Sequence, residues 1–144
     1  MFLSLPDKII IGKKEKIEFP DLKRKNIVAR IDTGAKLSSA HCDKIWVETM
    51  QGKKILCCHF LKRSTKVIRF NKYKKVIIKN SHGKQIRYVV KLKIKLDDFM
   101  KETSVTLTDR STMDYSVLLG RSFLCGPFLV DVSKSYLKLK TKSK

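Results

Sequence analysis

Ile27-Val28-Ala29-Arg30-Ile31-Asp32-Thr33-Gly34-Ala35 is the stretch on which the reading of this chain turns. Its first five residues, apolar but for Arg30 and rich in β-branched types, have the composition of a buried strand, and Thr33-Gly34 supplies the turn that ends it. Such a turn by itself needs Asp32 only to accept local backbone hydrogen bonds. Far downstream, Val117-Leu118-Leu119-Gly120-Arg121 repeats the theme: an apolar run is stopped by glycine, and Arg121 to Cys125 reads as a short helical turn. Core packing before a turn would also produce this second run. The two motifs gain meaning as a pair.

Between and around them the dominant period is two. Strands are expected at Ile45–Glu48 and Ile55–Phe60, joined through Gln51-Gly52 as a hairpin. Val67–Phe70 and Val76–Lys79 follow, and Asn80-Ser81-His82-Gly83 turns the chain into a long strand, Gln85–Leu96. There Val90, Leu92, Ile94 and Leu96 alternate with Lys91, Lys93 and Lys95, the pattern of a strand with one wet, basic face. Ser104–Thr108, Tyr115–Leu119, Phe128–Val132 and Tyr136–Lys140 complete the set, with Thr141–Lys144 expected as a frayed basic tail. Many short strands and almost no helical period predict an all-β sandwich or barrel.

The chain has 144 residues, 42% hydrophobic, with only 6 Gly and 3 Pro, which excludes low complexity and fits one folded domain over residues 1–144. No apolar run approaches the ~18–20 residues of a membrane-spanning helix. Met1 to Lys16 lacks the small-residue cleavage site of a signal peptide, so a cytoplasmic setting with reduced thiols is expected for Cys42, Cys57, Cys58 and Cys125. In a strand Cys57 and His59 would share one face, half of a metal site, but no second pair of ligands completes it near His41, Cys42 or Asp43. Neither a metal nor a cofactor is expected.

The formal charge is +20, from 33 Lys and Arg against 13 Asp and Glu. Fifteen of those cations fall between Thr49 and Lys95, where no acidic residue occurs. A solvated sheet face would explain this. A footprint for nucleic acid or an acidic peptide would explain it equally well.

Asp32-Thr33-Gly34-Ala35 together with Leu118-Leu119-Gly120-Arg121 resembles the retropepsin-type aspartic peptidases. The longer strings Ala29 to Lys36, and Thr108-Asp109-Arg110-Ser111 through Leu124, are similar to a bacterial family labelled ATP-dependent zinc proteases, often linked with glutamate-ligase-type ATP-grasp enzymes. The resemblance runs from about Ile9 to Tyr136. It implies a small closed or partly open β-barrel with one short helix, and an aspartic endopeptidase in which Asp32 is the catalytic carboxylate. It further implies that Thr33 braces the loop through its hydroxyl, and that Gly34, Ala35, Leu119, Gly120 and Arg121 support it. The chain shows neither a zinc signature nor a phosphate-binding glycine loop to match the zinc and ATP of that label.

Two adjacent carboxylates cannot both ionise, so one keeps a proton while the other activates water. One Asp-Thr-Gly per chain therefore implies a homodimer that brings two copies of Asp32 together. Lys36 and Leu37 follow the triplet where retropepsins often carry an acid, so Arg121 is expected to pair with Asp109, Asp114 or Asp131 instead. The flap over a peptide substrate would come from Gln51-Gly52 or from His82-Gly83. Both hairpins lie in the basic stretch, which points to an acidic peptide or protein partner. The alternative is a basic β-barrel that binds nucleic acid without catalysis, stacking bases on Phe60, Phe70, Tyr73 and Tyr88.

Overall fold

The period-two pattern becomes eleven strands among residues 7–138, the part of the chain that the computed structural model describes. They are β1 (Ile9–Ile11), β2 (Lys14–Phe19), β3 (Arg24–Ile31), β4 (Ser38–Met50), β5 (Lys53–Phe60) and β6 (Val67–Phe70). β7 (Lys74–Asn80), β8 (Gly83–Leu96), β9 (Phe99–Thr108), β10 (Val117–Leu119) and β11 (Phe128–Val130) follow, with one α-helix, α1 (Arg121–Leu124), after β10. The fold is all-β with one short helix.

The sheet is partly ring-like. Following hydrogen-bonded neighbours from β10 through β3, β2, β8, β9 and β4 leads back to β10. The ring is not a true barrel, because β2 meets β8 only where Glu18 lies opposite Lys95. From this ring β4 runs on, through an irregular register between Cys42 and Lys44, into an antiparallel layer with β5 and β6. β7 and β8 form the other long hairpin. Inside, Val90, Leu92, Ile94 and Leu96 of β8 are buried as their alternation predicts, against Phe19, Leu107 and Leu119 among others.

β1 is not among the expected strands and β9 starts at Phe99 and not at Ser104; three further segments depart from the sequence expectation. Lys14–Phe19 is not among the expected strands, yet it forms β2 with Glu15 fully buried. The Glu15 carboxylate accepts backbone N–H groups from Gly12 at 2.7 Å, Leu137 at 2.9 Å and Lys138 at 3.0 Å, and so substitutes for water. The same bonds explain the second departure. The sequence predicts a strand at Tyr136–Lys140, but in its described part the N–H groups of Leu137 and Lys138 go to this carboxylate instead of a ladder, and Tyr136 has φ 58°. Leu139, Lys140 and the expected tail at 141–144 lie outside the described residues. The third departure is β4, which begins at Ser38, well before the expected Ile45, and pairs in parallel with β9 there.

Candidate active site

β10 and β3 run parallel, with Leu119 opposite Ile31, so the residues that leave both strands emerge side by side. Asp32 is half-buried there; its N–H donates to Leu119 O at 2.9 Å. The loop closes on itself, Gly34 N–H donating to Asp32 Oδ1 at 3.0 Å and Ala35 N–H to Asp32 O at 3.3 Å. From the other side, the N–H groups of Arg121 and Ser122 donate to Ala35 O at 2.8 Å and Lys36 O at 2.9 Å. Gly120 N–H donates to Ser38 Oγ at 3.1 Å. Gly120 is required by proximity and not by φ. A Cβ there would lie 2.5 Å from Leu37 O and 2.9 Å from Ala35 O, both backbone atoms.

A cleft of about 590 Å³ extends from this loop. Ala35, Leu37 and Leu118 line it together with Val76, Ile78, Gln85, Arg87 and Val89 of the β7–β8 hairpin. Of the two flap candidates, the structure brings the hairpin that turns at His82 and Gly83 to this cleft. The Gln51-Gly52 turn does not line it; of β4 and β5, Ser39 alone does. Gln51 and Gly52 make that other turn with φ 51° and 77°, the double left-handed geometry that matches strand twist.

Arg110, part of the Thr108–Ser111 string but given no role by it, also lines the cleft. Its backbone N–H donates to His41 Nδ1 at 2.8 Å, which leaves the imidazole proton on Nε2, facing Asp43 Oδ1 at 2.6 Å. Its side chain donates from Nε to Tyr115 O at 3.1 Å and from Nη1 to Ser39 Oγ at 3.3 Å. Burial pushes the Arg110 guanidinium below its ordinary pKa, with Arg30 adding to the shift and Asp32 opposing it. His41 is buried and clamps this loop onto β4; only the tertiary fold shows that role. Asp43 is held below the usual carboxylate range, first by the His41 hydrogen bond and then by the N–H of Arg63.

The RimB-like family model, described as retropepsin-like aspartic endopeptidase RimB, matches residues 10–141. The chain belongs to the RimB-like family. Proteins named probable alpha-L-glutamate ligase are similar to it: one from Shewanella halifaxensis is 37% identical over 90% of this chain and 30% of its own length. A namesake from Desulfotalea psychrophila is 34% identical over 86% of this chain and 28% of its own length. The chain thus spans about 30% of the length of these relatives. A solved structure from Legionella pneumophila, of a protein of unknown function, aligns at TM-score 0.62 and 25% identity, covering 90% of this chain and 98% of that one. None of these relatives carries the zinc-protease label.

Within this RimB-like chain several expectations are revised. Arg121 does not pair with Asp109, Asp114 or Asp131; its Nη1 donates to Thr33 O at 3.1 Å, tying the helix start to the Asp-Thr-Gly loop. Thr33 is exposed, and its carbonyl is the atom engaged in that bond. Cys42, Cys57 and Cys58 are buried free thiols, whereas Cys125 is exposed. Cys57 and His59 share no metal-binding cluster among the described residues. The expected stacking aromatics are spent elsewhere. Phe60 is buried edge-on to Phe19 at 4.9 Å, and half-buried Phe70, Tyr73 and Tyr88 pack against the core. No described helix is long and apolar enough to cross a membrane.

Proposed function

We propose that this chain is an aspartic endopeptidase that works as a homodimer and cleaves acidic peptides. The observation that carries the reading is the Asp32 loop. Its carboxylate is fixed by the Gly34 N–H and its backbone is anchored to Leu119, and Ala35 of the same loop lines a cleft of about 590 Å³. With a second Asp32 opposite, the pair shares one proton. The ionised carboxylate takes a proton from water as it attacks the scissile carbonyl, and the protonated one polarises the carbonyl oxygen. The proton gained then passes to the leaving amine, and no covalent intermediate forms.

The acidic-substrate reading is supported by the charge of the Thr49–Lys95 stretch, which includes the hairpin lining the cleft. The relatives' name, alpha-L-glutamate ligase, suits the same chemistry, since such a product carries a row of carboxylates. The test compares cleavage of Glu-rich and Lys-rich peptides at low and high salt. Cleavage of the Glu-rich peptide, weakened by salt and abolished by Asp32→Asn, is expected; undiminished cleavage by Asp32→Asn refutes the reading. Sedimentation equilibrium checks the dimer, and a strict monomer that still cleaves would remove the two-carboxylate mechanism.

A further inference from the structure

We propose that Arg87 and Arg110, which line the same cleft, together form a seat for one carboxylate of the bound peptide. The proposal rests on the peptidase reading for its setting and names the groups that would make the cleft selective. Both arginines line the cleft that begins at Ala35 and Leu118. Nε of Arg87 is buried and has no hydrogen-bond partner among the described residues, while its Nη2 donates to Gln85 Oε1 at 3.0 Å. Buried donors are nearly always paired in native structures. An unpaired one in a cleft lining is a place where a ligand's acceptor fits.

Arg110 supplies the complementary half. Three bonds pin it, from its backbone N–H to His41, from Nε to Tyr115 O and from Nη1 to Ser39 Oγ, so little ordering remains to be lost on binding. Neither guanidinium forms an ion pair with a carboxylate among the described residues. Asp109, the acid on the same lining, has its Oδ1 taken by the N–H of Ser111 at 2.9 Å. Two cations against the single carboxylate of Asp109 leave the lining net positive, which favours an anion there, and planar forks match a carboxylate. That carboxylate is a Glu or Asp side chain, or the α-carboxylate at a chain end.

The experiment measures binding by fluorescence anisotropy, using the full chain with Asp32→Asn to prevent turnover. The probes are a labelled Glu-Ala repeat peptide and its Gln-Ala counterpart, each with a free or amidated C-terminus. Arg87→Gln and Arg110→Gln should each weaken binding of the free-ended Glu-Ala peptide by about tenfold or more while leaving the amidated Gln-Ala peptide nearly unaffected. Arg87→Lys should restore only part of the loss, because it keeps the charge and lacks the fork. Binding that survives amidation assigns a side-chain carboxylate; loss on amidation as large as the loss on arginine replacement assigns the chain end. Folded Arg87→Gln and Arg110→Gln proteins that bind the Glu-Ala peptide as the parent does would overturn the proposal, as would equal losses for the amidated Gln-Ala peptide, which carries no carboxylate. Should Arg110→Gln fail to fold, Arg87→Gln decides alone. Absence of cleavage by the unsubstituted chain, with arginine-dependent binding intact, would remove the peptidase reading and leave the seat.

Discussion

Gly120→Ala tests whether the Asp32 loop is built by close backbone packing. The added Cβ would sit 2.5 Å from Leu37 O, 2.7 Å from Leu37 C and 2.9 Å from Ala35 O. These are backbone atoms of a loop held on both sides, so no flexible side chain can swing away. Relief requires the 35–37 segment and the start of α1 to separate. That strains the bonds from Arg121 N–H to Ala35 O, from Ser122 N–H to Lys36 O and from Gly120 N–H to Ser38 Oγ. Overpacking of this kind costs roughly 1–3 kcal/mol, and weakening two or three net hydrogen bonds adds about 1 kcal/mol or more. A total of about 3 kcal/mol corresponds to a Tm lower by roughly 6–12 °C for a chain of this size. Urea titration followed by circular dichroism measures the change directly. Gly52→Ala is the control, because its Cβ meets nothing within 4 Å and only the left-handed φ of 77° is strained. A loss below about 0.5 kcal/mol for Gly120→Ala, or one no larger than for Gly52→Ala, would refute the packing argument.

Gly34→Ala should separate stability from activity: its Cβ touches only Asp32 Oδ1, at 3.3 Å, so the melting temperature should hold while peptide cleavage falls as the carboxylate is displaced. Glu15→Gln replaces an acceptor of three backbone N–H groups with an amide whose own N–H faces a donor, at a cost of roughly 2–4 kcal/mol, read from a chemical melt. Asp43 governs part of the acid limb: its folded pKa lies below the ordinary 3.8, so its stabilisation is complete above that value and is lost as pH falls through the lower folded one. Asp43→Asn should therefore flatten the fall in stability between about pH 5 and pH 2, measured by urea melts across that range.

Strand existence and the buried face of β8 were legible in the sequence because period-two alternation follows directly from the pleat. So were the paired Asp-Thr-Gly and Leu-Leu-Gly-Arg motifs, since a strand that must end in a tight loop advertises itself by glycine. β2 was hidden because Glu15 occupies a core position, and its three partners come from Gly12 and from residues more than a hundred positions away. The tertiary structure alone decided that β3 and β10 run parallel, which is what sets Gly120 against the Asp32 loop. It also carries Val76, Ile78, Gln85, Arg87 and Val89 of the β7–β8 hairpin to the cleft, through strand pairing that local pattern does not reveal. Arg110 and His41 lie 69 positions apart in the sequence and become a clamped pair only through the fold. Local pattern determines which residues form strands and turns. Which of those turns meet depends on long-range strand pairing, and that information is spread over the whole chain.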